Sequence, residues 1–131
     1  MSSNPAQQPL VLVVDDFEDN REMFAEFLEL SGFRVSRAAN GQEAIERAEA
    51  DMPDLVVMDL SLPVMDGWEA TRRLKANPRT ANIPVLALSG HSFPQQEEEA
   101  LHVGCVALLT KPCMPDVLVS RILSVLDRTK T

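Results

Sequence analysis

Four short apolar runs in this chain each end on a polar residue, and that repeated ending constrains the fold more than any other feature. Leu10-Val11-Leu12-Val13-Val14 ends on Asp15-Asp16, Leu55-Val56-Val57-Met58 on Asp59, Val85-Leu86-Ala87-Leu88 on Ser89, and Val106-Ala107-Leu108-Leu109-Thr110 on Lys111. Val/Leu-rich runs of this length, bounded by turn residues, read as strands buried on both faces, which is the condition of a parallel sheet. In an open sheet of that kind the ligand crevice lies outside the carboxyl ends of the strands. The chain therefore brings three carboxylates, a hydroxyl and an ammonium to one rim.

Between these runs the pattern turns helical. A helix is expected from about Asp19 to Ser31, with Met23, Phe24, Phe27, Leu28 and Leu30 at helical spacing, Asp19 or Asn20 as its cap and Gly32 just past its end. A short strand near Arg34–Ala38 has the mixed polarity of a sheet edge, and Asn40 caps a second helix that carries Ala44, Ile45 and Ala48 and stops before Pro53. After Asp59 comes a loop in which Pro63 stiffens the turn and Gly67 supplies a backbone shape other residues resist. Further helices are expected at about Trp68–Ala76, Pro94–Val103 with an acidic first turn (Glu97, Glu98, Glu99), and Met114–Asp127. The fourth and fifth strands are expected at Ile83–Leu88 and Val106–Leu109. Five strands alternating with five helices make an α/β fold with right-handed crossovers.

The remaining bulk features narrow the function. A length of 131 residues with 45% hydrophobic content suits one globular domain, expected over 10–127 between a flexible tail at 1–9 and a frayed end at 128–131. The N-terminus carries no apolar signal core and no run reaches the roughly 20 residues a bilayer needs, so a cytoplasmic protein is expected. A formal net charge of -8 opposes binding to nucleic acid or to an anionic membrane. Cys105 and Cys113 lack metal or disulfide spacing and read as small hydrophobes in a reducing compartment. His102 is expected at a helix end, and His91 lies two residues beyond Ser89 on the proposed rim.

Asp15, Asp16 and Asp59 offer the oxygen donors that a small hard cation such as Mg²⁺ prefers. An isolated Asp after a strand is usually a turn former, but two adjacent carboxylates repel each other and want a cation. A carboxylate is also a competent nucleophile toward phosphorus, and phosphoryl transfer rests mainly on positioning and on neutralising the equatorial oxygens. Lys111 and the Ser89 hydroxyl are suited to that second task.

At these residues the sequence resembles the receiver domain of two-component response regulators. The matching pieces are Val13-Val14-Asp15-Asp16, Met58 through Gly67, Leu88-Ser89-Gly90 and Thr110-Lys111-Pro112, in order and at strand-sized spacing across about residues 10–127. The resemblance implies a flavodoxin-like, doubly wound, five-stranded parallel sheet of order 2-1-3-4-5. It implies that Asp59 is the phosphoacceptor, and that Asp15, Asp16, Asp59 and the Ser61 backbone carbonyl hold Mg²⁺, for which Mn²⁺ can substitute. Ser89 would close on the phosphoryl group and Lys111 would be the family's cation, followed by a cis peptide bond to Pro112. The phosphoryl donor would be a sensor histidine kinase or a histidine phosphotransfer protein, and the output would be binding to a downstream protein, since no effector domain follows the fifth helix. Two positions depart from the family pattern: Leu108 stands where a Tyr or Phe is usual, and Gly90 replaces a common Ala. Leu108 is expected to stay in the apolar layer, leaving the Ser89-Gly90-His91 loop and the start of helix four to carry the signal.

Three other readings stand beside this one. A Mg²⁺-dependent phosphatase or phosphotransferase using an aspartyl-phosphate intermediate would, in its haloacid-dehalogenase form, want a second Asp two residues after the nucleophile, where this chain has Ser61. A flavin-binding module would place its phosphate loop against Asp15-Asp16, which repel phosphate. The chain is also readable as a segment of a larger regulator.

Overall fold

The computed structural model describes residues 8–62, 64–90 and 94–129. Residues 1–7 of the expected tail, Pro63, His91 and residues 130–131 lie outside the described residues.

The elements run β1 (Leu10–Val14), α1 (Glu18–Leu30), β2 (Arg34–Ala38), α2 (Gly41–Asp51), β3 (Leu55–Asp59), α3 (Gly67–Ala76), β4 (Val85–Ser89), α4 (Pro94–Val103), β5 (Ala107–Thr110) and α5 (Pro115–Thr129). All strands pair in parallel, in the order β2-β1-β3-β4-β5. This is the expected flavodoxin-like arrangement. The order reverses between β1 and β3, so the crevice predicted for such sheets opens at the carboxyl ends of those two strands.

The alternation of side chains along each central strand divides the core into two layers. Leu12, Val14, Val56, Met58, Val85 and Ala87 face α2, α3 and α4, which contribute the buried Ala44, Ala48, Ala70, Leu74 and Ala100. Val11, Val13, Leu55, Val57, Leu86 and Leu88 face α1 and α5, which answer with Phe24, Leu28, Leu118, Ile122 and Val125. Each fully buried Leu, Ile or Val contributes about 1.5–3 kcal/mol through removal from water. Leu108 packs against the first layer, as the sequence reading expected. β5 is only half-buried, rather than covered on both faces, because it closes the edge of the sheet.

Several boundaries differ from expectation for local reasons. The N-cap of α1 is Phe17, not Asp19 or Asn20, and no side chain caps it. The preceding turn is instead closed by Asp15, whose Oδ1 accepts from the Phe17 N–H at 2.9 Å, and this leaves Asp19 in the first helical turn. At the other end, Gly32 adopts φ 99°, with its N–H on the Glu29 carbonyl and the Phe33 N–H on the Leu28 carbonyl, the paired bonds of a Schellman motif. Asn40 caps α2 as read, accepting from the Glu43 N–H at 2.9 Å. β4 starts at Val85 rather than Ile83, since Ile83 turns back onto the Thr80 carbonyl and Pro84 has no N–H to donate. β5 begins one residue late, and α5 runs two residues past the expected end at 127.

The loop after β3 is organised differently from the sequence reading. Its left-handed residue is Val64, at φ 68°, and not Gly67. Gly67 is required for space: a Cβ there would collide with the Asp59 backbone carbonyl and crowd Leu60 Cα. That contact lets the first turn of α3 lie directly against the end of β3. Asp66, which the sequence reading passed over, caps α3 by accepting from the Glu69 N–H at 2.9 Å.

Candidate functional site

The rim at the carboxyl ends of the strands is assembled by register. Asp59 is the last residue of β3 and pairs with Leu88 in β4, while Ser89 pairs with Thr110 in β5. The Lys111 N–H then donates to the Ser89 carbonyl at 2.7 Å, so the strand ends are fixed relative to one another by backbone bonds before any side chain is considered. The Lys111–Pro112 peptide bond is cis.

Asp59 is 2% exposed. Its Oδ2 accepts from Lys111 Nζ at 2.8 Å and its Oδ1 from the Ser61 N–H at 2.9 Å. The carboxylate is thereby oriented by two donors and held beside a cation. Asp15 is also 2% exposed, and its Oδ2 is the buried side-chain oxygen that finds no partner among the described residues. Burial raises the Asp15 pKa above its ordinary value; the Phe17 N–H and Lys111 oppose the rise, and the neighbouring Asp59 and Asp16 add to it. Asp16 is exposed, and its carboxylate oxygen lies with those of Asp15 and Asp59 in one cluster whose members are all within 4.8 Å of each other.

These observations meet the requirements of a hard divalent cation. The donors are all carboxylate oxygens with no sulfur or imidazole among them, one is buried and unsatisfied, and one faces solvent, where metal-bound water has room. Mg²⁺ or Mn²⁺ fits this set.

Ser89, 4% exposed, is brought to the same rim, with its hydroxyl donating to Gln96 Oε1 in α4 at 3.1 Å. Arg21 supports the site from α1, its Nη1 donating to the Asp15 carbonyl at 2.9 Å. The sequence reading missed both Gln96 and Arg21. Arg21 lies at the start of α1, from where its side chain reaches back to the end of β1. Gln96 carried no signal, being one polar residue in a polar first turn. Ser61 contributes its backbone N–H to Asp59. His102 lies in the last turn of α4, and Cys105 is buried in the first core layer.

Comparison with known proteins agrees with this fold. Residues 11–123 match the family model described as "Response regulator receiver domain". The polar-differentiation response regulator DivK of Brucella anthropi is 37% identical over 102 residues, covering 78% of this chain and 83% of that protein. Among solved structures, the chemotaxis protein CheY4 of Vibrio cholerae superposes with a TM-score of 0.86 at 30% identity, over 90% of this chain and 98% of that one. The receiver domain of the Francisella response regulator 1452 gives a TM-score of 0.87 at 30% identity, over 93% of this chain and 99% of the other.

Proposed function

Because the chain belongs to the response regulator receiver domain family of two-component signalling, we propose that it is a phosphoacceptor switch whose Asp59 takes a phosphoryl group from a phosphohistidine. The observation that carries this reading is the placement of Asp59: a buried carboxylate held by Lys111 and the Ser61 N–H, beside a second buried carboxylate with an unsatisfied oxygen.

In the proposed step an Asp59 carboxylate oxygen attacks phosphorus, a P–O bond forms, the P–N bond of the phosphohistidine breaks, and the imidazole leaves with its electron pair. Asp15, Asp16, Asp59 and the Ser61 carbonyl would hold Mg²⁺, which supplies charge neutralisation to the phosphoryl oxygens and to the crowded carboxylates. Lys111, already 2.8 Å from Asp59 Oδ2, is placed to hold a phosphoryl oxygen once the carboxylate carries the group. Ser89 donates its hydroxyl to another. Catalysis of this kind is chiefly electrostatic and positional, which matches a site built from fixed strand ends.

The donor in this reading is a sensor histidine kinase or a histidine phosphotransfer protein, the output is protein binding, and the protein works in the cytoplasm. Among the described residues no helix is long and apolar enough to cross a membrane. A turnover phosphatase of the haloacid-dehalogenase kind is disfavoured, since the position two residues after the nucleophile holds Ser61, whose contribution is a backbone N–H.

The test is incubation with a small phosphodonor and Mg²⁺, followed by intact mass and mapping of the adduct. A hydroxylamine-sensitive mass gain that disappears in Asp59→Asn is expected. The same gain on another Asp in that variant would refute the assignment.

A further inference from the structure

The Ser89 hydroxyl is already engaged before any phosphoryl group arrives, and its partner is on the helix that follows. Ser89 cannot change that by moving its backbone, because its carbonyl accepts from the Lys111 N–H at 2.7 Å and its strand pairs with β5. Its side chain is 4% exposed, so water is not a ready substitute partner. The hydroxyl donates to Gln96 Oε1 at 3.1 Å. A hydroxyl carries one proton and serves one acceptor at a time. The bond to Gln96 and a bond to a phosphoryl oxygen on Asp59 are therefore mutually exclusive.

We infer that Gln96 is a positioning residue that competes with the phosphoryl group for the Ser89 proton, and so sets both how strongly the modified state is favoured and when the first turn of α4 is released. This deepens the phosphoacceptor reading and rests on it. The phosphoryl oxygen wins the competition because a hydrogen bond to a charged acceptor is about twice as strong as one to a neutral amide. The loss falls on α4. The buried anchors described for that helix, Ala100 and the half-buried Val103, lie in its second half, whereas Gln96 lies in its first turn. Breaking Ser89–Gln96 thus loosens the end of α4 nearest the site and leaves the far end seated. The chain gains a route from the site to the α4 surface that does not involve Leu108, which packs against the core in this structure.

Beryllofluoride with Mg²⁺, a stable mimic of an aspartyl phosphate, tests this on the whole chain, with the single Trp, Trp68 at the start of α3, as fluorescent reporter. Gln96→Ala removes the competing acceptor and is expected to tighten binding by about 2- to 10-fold, the range set by the net worth of one neutral hydrogen bond. Gln96→Glu, a charged acceptor of the same length, is expected to weaken it. In a Ser89→Ala background the Gln96→Ala change is expected to have no effect, since there is no proton left to compete for. A purely structural role for Gln96 would weaken binding in both variants and persist in the Ser89→Ala background, and either result overturns the inference. Failure of the wild-type protein to bind beryllofluoride, or binding retained in Asp59→Asn, would instead overturn the phosphoacceptor reading itself.

Discussion

Replacing Asp15 by Asn should make the metal-free protein more stable while removing its response to Mg²⁺. Asp15 is 2% exposed, its Oδ1 is satisfied by the Phe17 N–H, and its Oδ2 is buried without a partner beside two other carboxylates. Asn keeps the Oδ1 acceptor and presents an N–H₂ donor where Oδ2 was, turning a repulsion into a donor–acceptor contact. Relieving one unsatisfied buried polar group is worth about 1–3 kcal/mol. With an unfolding entropy of about 2.1 cal/mol/K per residue over 131 residues, each kcal/mol moves Tm by about 4 °C, so a rise of about 4–11 °C is expected in EDTA. The gain should depend on pH in a definite direction. The folded pKa of Asp15 is raised, so the native state binds more protons than the unfolded state between the ordinary value of 3.8 and the raised one. Wild-type stability from this group is therefore fully present below pH 3.8 and is lost as pH rises through the folded pKa. The replacement amide does not titrate, so the advantage of the variant should be largest near neutrality and fade on acidification. Mg²⁺ at ten times its Kd stabilises the wild type by about 1.4 kcal/mol, or about 5 °C, and should do little for the variant. Scanning calorimetry in EDTA and in Mg²⁺ at several pH values reads all three effects. A metal-free variant that melts at or below the wild type, or an undiminished Mg²⁺ response in it, would refute the reasoning.

Gly67→Ala should destabilise by about 1–3 kcal/mol, the usual range for overpacking, because its Cβ meets the Asp59 backbone carbonyl rather than a side chain that can yield. Urea unfolding measures that loss, and Mg²⁺ titration should show a weakened site, since the displaced atom belongs to Asp59 itself. Val64→Asn should stabilise by about 1 kcal/mol, as the left-handed conformation costs an ordinary residue about 1–2 kcal/mol and Asn tolerates it. Val64 is 89% exposed and gives up little burial, so a Tm no higher than wild type would count against the φ of 68°.

The parts of this structure legible in the sequence were those fixed by a short local pattern. β1, β3 and β4 announced themselves because both their faces are apolar, and each polar ending marked its strand's carboxyl end. The cap at Asn40 needed only the residue and the helix after it. What stayed hidden depended on approach between distant segments. The role of Gly67 is set by how near α3 lies to β3, a distance no spacing rule contains. The difference between Asp15 and Asp16, one buried with an orphaned oxygen and one exposed, arises from which side of the strand end faces the core. Phe17 as the start of α1 followed from Asp15 bonding forward, an event that masks the capping preference of Asp19. Gln96 acquires meaning only from the hydroxyl it touches.

The rim residues come from four strands, and Asp59 and Lys111, which make the central ion pair, are 52 residues apart in the chain. No local segment can form this pair early; the chain must close that loop and stack β3, β4 and β5 in register first. The site is thus complete only once the sheet itself is complete. A ligand that recognises it meets only finished molecules. Cation binding is then expected to act on the lifetime of the folded state, slowing unfolding and leaving the rate of folding nearly untouched.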